Sequence, residues 1–291
     1  MHVKGAELKP EMIVDSRCAT GENPLWHPKE SALYWVDIPP GLLYRYDPAS
    51  GEAAVVFDAH RAIGGFTLEA DGSLLLFMDR GTIGRWRDGS FEIISEIGLA
   101  SHSRFNDVFA DPEGRVFAGV METPERPGML LRFERGAHPA VVADDLTIPN
   151  GMGFTPDLSR LYFTDSNQRR IYQFDYDQAT GDLTDRRVWL QLSNEGVPDG
   201  MTVDVNGDVW SARWDGSALF RYSPDAIENQ RIAFPANQVS SIAFGGPNFD
   251  VAYVTTAGGH DRAKNGELAG ALFKVDLGVR GRPDFRSRLA S

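Results

Sequence analysis

The sequence predicts an all-β fold, a six-bladed β-propeller, with residues 1–291 forming one domain. Three observations carry this. Short β-rich runs are bounded by turn residues, a unit recurs every 41 to 49 residues, and each unit repeats the same order of four strands. The units begin near Glu22, Gly65, Asn106, Asn150, Asp199 and Ser241.

Each unit opens with a short apolar run, such as Met152-Gly153-Phe154, Met201-Thr202-Val203 or Ile242-Ala243-Phe244. A turn follows, marked by Asp71-Gly72, Glu113-Gly114 or Asn206-Gly207. The second strand ends at Asp37, Asp79, Met121, Asp165, Trp214 or Thr256. The third alternates aromatic, basic and apolar residues, as in Leu43-Tyr44-Arg45-Tyr46 and Leu219-Phe220-Arg221-Tyr222. A fourth, for example Ala53-Ala54-Val55-Val56-Phe57, completes the unit. One four-stranded sheet cannot cover both its faces, whereas radial stacking of six covers them and leaves only short edges. The segment at about 11–18 precedes the first unit and is expected to close the ring as the outer strand of the last blade. Two stacked sandwiches, the rival fold, leave the shared register of six units unexplained.

Bulk properties narrow the function. Net charge is −12, with no basic run, which argues against nucleic acid and anionic membranes as partners. No stretch reaches the roughly 18 apolar residues of a membrane-spanning helix. The start, Met1-His2-Val3-Lys4-Gly5-Ala6-Glu7, lacks the apolar centre of a signal peptide. A single cysteine, Cys18, excludes an intramolecular disulfide. A cytoplasmic protein is expected, its oligomeric state left open.

The innermost strands of a propeller line its central channel, so equivalent repeat positions form a ring. Here the ring reads Glu22, Gly65, Asn106, Asn150, Asp199 and Ser241. Two carboxylates and two carboxamides at one level conflict unless a cation is present. Singly, Asn150-Gly151 or Asp199-Gly200 reads as a turn. Together, Pro149-Asn150-Gly151-Met152 and Pro198-Asp199-Gly200-Met201 repeat their flanks as well as their oxygen donor. An all-oxygen donor set favours Ca²⁺, with Mg²⁺ or Mn²⁺ next and Zn²⁺ or Fe²⁺ still compatible. Asn106 is expected to act through water or on a substrate.

The stretches Gly21-Glu22-Asn23-Pro24-Leu25-Trp26, Arg104-Phe105-Asn106-Asp107, Leu161-Tyr162-Phe163-Thr164-Asp165-Ser166 and Pro198-Asp199-Gly200-Met201 resemble the SMP-30/gluconolactonase/luciferin-regenerating-enzyme family. The resemblance spans essentially the whole chain. It implies a six-bladed propeller and a lactone hydrolase with one divalent metal. Its metal ligands fall on Glu22, Asn150 and Asp199, and its substrate-orienting residues on Arg104 and Asn106. A further family glutamate has no clean counterpart; Glu122 lies early and Glu125 late, with Pro124 between, and Glu122 is taken as the substrate contact.

The expected reaction is metal-assisted attack of water on the carbonyl of a sugar-acid lactone, with Asp199 as the catalytic general base. Alternatives that use the same metal are an esterase, a phosphotriesterase or a non-sugar lactonase. A non-catalytic, calcium-binding propeller is the alternative of another class. No Gly-x-Ser-x-Gly elbow, His-Glu-x-x-His or phosphate-binding loop is present. Asp204-Val205-Asn206-Gly207-Asp208 reads as a hairpin turn rather than a calcium loop. Trp26 and Trp214 are placed near the channel mouth, with Glu122–Gly128 and Gly258–Gly270 as its loops, and His102 reads as a surface-loop histidine rather than a lining residue.

Overall fold

The computed structural model describes residues 8–290; residues 1–7, on which the expectation about a signal peptide falls, and Ser291 lie outside them. The alternating runs form antiparallel strands in six four-stranded sheets, and the one helix among the described residues is the single turn Arg262–Asn265. The innermost strands are Gly21–His27, Ile63–Leu68, Phe105–Ala110, Pro149–Phe154, Val197–Val203 and Val239–Gly245. Each packs against the innermost strands of both neighbours, and the sixth meets the first. The chain is a six-bladed β-propeller.

Burial falls from the axis outward. The innermost strands are almost wholly buried, while outer strands such as Glu52–Asp58 and Ser90–Glu96 are mostly exposed. The blade interfaces hold the large side chains, among them Trp35, Phe66, Phe117 and Trp210, all fully buried. Each such burial stabilises the fold by roughly 1.5–3 kcal/mol before entropy is counted. Trp26 belongs to this core rather than to the mouth: it stacks on Tyr253 with centroids 5.9 Å apart. Cys18 is buried too, and burial pushes its thiol up to about 12, so it carries no nucleophilic chemistry.

The sixth blade joins the two ends of the chain. The N-terminal strand Glu11–Val14 pairs with Leu272–Val275, setting Met12 opposite Phe273 and Glu11 against Lys274 at 3.1 Å. Without it, Leu272–Val275 would show a bare row of backbone donors and acceptors. After that strand the chain crosses one end of the propeller. Ser287 N donates to Leu68 O at 2.9 Å, and Leu289 N donates to Glu69 Oε1 at 2.8 Å. Phe285 meets Phe154 edge-on at 6.0 Å.

Candidate metal centre

Every innermost strand carries a register shift, and each falls at the ring position. The shifts lie between Glu22 and Leu25, Ile63 and Gly65, Phe105 and Val108, Pro149 and Met152, Pro198 and Met201, and Val239 and Ser241. A bulge adds a residue to one strand and turns its side chain out of the regular alternation. The motif glycines follow from packing between blades. A Cβ on Gly151 would meet Met201 N at 2.4 Å, and one on Gly200 would meet Ser241 Oγ at 2.1 Å. Only glycine lets the next blade approach so closely.

Glu22, Asn150 and Asp199, from three different blades, line one cavity of about 300 Å³ and are 3%, 5% and 4% exposed. Arg104 and Asn106 line it as well. Glu22 Oε2 accepts from Asn23 N at 2.9 Å. Asn150 Nδ2 donates to Ser166 Oγ at 3.0 Å, while Asn150 Oδ1 is buried with no partner. Asn106 is differently placed. Its Nδ2 donates to Pro149 O at 2.8 Å and its Oδ1 accepts from Arg104 Nη1 at 2.6 Å.

Two buried carboxyls share this space. Burial first, and then the charge of Asp199, raises Glu22 well above the ordinary carboxylate range. Burial and the charge of Asp107 raise Asp199 likewise, against the pull of the Asn150 amide and Arg104. Burial lifts Asp107 to about 7. Arg104 is lowered by burial, against the charges of Glu22, Asp107 and Asp199. The bare site therefore disfavours two ionised carboxylates, and a cation between them reverses that preference. The orphaned Asn150 oxygen is a neutral hard donor aimed at the same need. Among the described residues no three His, Cys, Asp or Glu side chains converge. This donor set consists instead of two carboxylates and a carboxamide, and it fits a divalent cation.

The profile of the SMP-30/Gluconolactonase/LRE-like region matches residues 20–258. The chain belongs to that family. The pentonolactonase XacC of Haloferax volcanii is 46% identical over 283 residues, covering 94% of this chain and 97% of that one. The regucalcin of Xenopus laevis is 32% identical over 291 residues, covering 95% and 97%. Among solved structures, a luciferin-regenerating enzyme has a TM-score of 0.89 at 26% identity, covering 97% of this chain and 100% of that one.

In this SMP-30/gluconolactonase-type propeller the ring residues do not all face one way. Gly65 contributes no side chain, because a Cβ there would meet Asn23 Oδ1 at 2.6 Å. Ser241 faces a second cavity of about 60 Å³, together with Asn23 and Asp107, closed by Asp284 and Phe285. Glu122 does not line the site cavity. Its Oε1 accepts from Asn167 Nδ2 at 3.0 Å, and it is Asn167 that reaches the cavity, so Glu122 stands one step back. Arg104 makes no direct pair with Asp107; its Nη1 goes to Phe105 O and Asn106 Oδ1. His102 is exposed and paired with Glu125 at 2.6 Å. Trp214 lines the cavity, whereas no residue of the loop 258–270 does. Asp204 closes its hairpin turn through the backbone N–H groups of Asn206 and Asp208. Sequence reasoning gave no role to Ser166, although it ends one of the family-like stretches, or to Asn167; both directly follow the Thr164-Asp165 strand end. The one available signal was that the blade-four strand ends at the level of the ring.

Proposed function

We propose that this protein is a divalent-metal-dependent hydrolase that opens a sugar-acid lactone, with pentonolactones as its first candidate substrates. The observation that carries the reading is the buried, partnerless Asn150 Oδ1 beside two carboxyls that burial holds above their usual range. Similarity to a protein named as a pentonolactonase supports the substrate class. The cation would supply a Lewis acid for the lactone carbonyl, with Ca²⁺ first among the candidates. Glu22, Asn150 and Asp199 would hold it.

Asp199 would serve as the general base: the cation keeps it ionised at neutral pH, and its carboxylate lines the cavity where the attacking water would sit. Arg104 Nη1 is spent on Phe105 O and Asn106 Oδ1, which leaves Nε and Nη2 to grip ring hydroxyls. Arg104 is the one basic side chain in the lining, and the rest mixes Thr20, Ser166 and Asn167 with Ile38, Ile148 and Trp214. That mixture suits a neutral polyol with an apolar ring face better than a phosphorylated substrate. The test is a lactone panel assayed by acid release, with added Ca²⁺, Mn²⁺, Mg²⁺ or Zn²⁺ and with chelator. Metal-restored, chelator-sensitive turnover of pentono- or hexonolactones is expected. No turnover of any lactone with any of these ions would overturn the reading.

A further inference from the structure

Three side-chain bonds tie one blade to the next at the site, and each ends on the carbonyl just before a candidate ligand. Asn106 Nδ2 donates to Pro149 O, before Asn150, at 2.8 Å. Ser166 Oγ donates to Pro198 O, before Asp199, at 2.7 Å. Ser240 Oγ donates to Gly21 O, before Glu22. Ser166 alone of the three also touches a ligand side chain, because Asn150 Nδ2 donates to its Oγ at 3.0 Å. Ser166 and Asn150 are 4% and 5% exposed, so both bonds lie in the buried wall of the cavity.

A serine hydroxyl has one proton. Pro198 O can only accept, so that proton is spent there, and toward Asn150 the Oγ can only accept. The atom of Asn150 that faces Ser166 must therefore be the NH₂, which turns Oδ1 to the other side, where it has no protein partner. The opposing pull is electrostatic. In the metal-free site the second Asn150 N–H already turns toward the Asp199 carboxyl, and an amide released from Ser166 would present its whole NH₂ to Asp199 and Glu22 and repel a cation.

We propose that Ser166 is a positioning residue that fixes the flip of the Asn150 carboxamide, so that its oxygen and not its nitrogen faces the cation position, while tethering the strand that carries Asp199. The inference rests on the divalent-metal reading above and adds to it a residue that acts on the cation position through Asn150 rather than as a ligand. A carboxylate at position 150 has two equivalent oxygens and needs no such orientation, which separates an orienting role from a merely structural one.

The experiment is a double-mutant cycle on Ser166→Ala and Asn150→Asp in the full chain. It is read by calorimetric titration with Ca²⁺ alone and Mn²⁺ alone, and by the metal-induced rise in Tm. Ser166→Ala is expected to weaken cation binding about tenfold or more, as loss of an outer partner of a ligand does. In the Asn150→Asp background the same change is expected to alter affinity by less than about twofold. If alanine at 166 does not fold, Ser166→Cys keeps the volume with a weak donor and is expected to show the same background dependence. Unchanged affinity in Ser166→Ala, or an equal loss in both backgrounds, overturns the orienting role and leaves the metal reading standing. Wild-type protein that binds none of these cations overturns the metal reading itself, and the role of Ser166 with it.

Discussion

Asp199→Asn separates the two properties assigned to the site. In the metal-free fold, burial and the charge of Asp107 raise Asp199, and Asp199 is the largest charge acting on the raised Glu22. In the unfolded chain both titrate near about 4. Between that range and their raised values the fold holds more protons than the unfolded chain, so metal-free stability falls as pH rises through this window. Above the raised values the cost is complete. Asp199→Asn removes one of the two carboxyls and relieves the other. The metal-free variant should melt above wild type at pH 8, the gap closing as pH falls toward 4.

The cation response should move the other way. A ligand at 100 times its Kd stabilises the fold by about 2.7 kcal/mol. For a chain of this size that is a rise in Tm of about 4 °C. The variant should lose most of that rise, and turnover should fall by about 10²–10⁴, the range for a positioned general base. Thermal melts from pH 4 to 8, with and without Ca²⁺ or Mn²⁺, and acid-release rates on the best lactone provide the readouts. Undiminished turnover together with the full cation-induced rise would refute the roles given to Asp199.

Arg104→Lys should lower kcat/KM about 10–100-fold, because an ammonium cannot reproduce a fork that holds Asn106 and a substrate hydroxyl together, while cation affinity measured by calorimetry stays near wild type. Burial lifts Asp284, at the opposite end of the channel, to about 7, so its ionisation costs stability that is progressively lost as pH rises from about 4 through 7. Asp284→Asn should therefore flatten the fall in Tm between pH 5 and 8 without changing turnover. Truncation before Asp15 removes the strand Glu11–Val14 and bares the edge of Leu272–Val275; Tm should drop by about 5–15 °C, and self-association should appear in sedimentation.

The propeller was legible because its signal is a repetition. Each blade solves the same local problem, so strand order and turn residues recur in the sequence at one period. The same register brought Glu22, Asn150 and Asp199 together, since equivalent positions on six innermost strands share one level around an axis. Family resemblance then supplied roles for Arg104 and Asn106.

What escaped the sequence lies where one blade touches the next. At each ring position a bulge breaks the two-residue alternation, and the packing of the neighbouring blade decides which way the side chain turns. That is why Ser241 faces the far cavity and why Asn23 leaves no room for a side chain at 65. Asn106 looked like a free oxygen donor, yet its oxygen is already held by Arg104. Glu122 looked like a substrate contact, yet it supports Asn167, which lies 45 positions along the chain. The crossing of the C-terminal segment under the channel depends on Glu69, distant in sequence, accepting its backbone N–H groups. The chain's pattern alone determined the six-fold repeat and the level at which oxygen donors gather. Only the tertiary structure decided which of those oxygens remains free, because a hydrogen bond such as Asn150 to Ser166 to Pro198 is set by packing between blades and leaves no trace in spacing or periodicity.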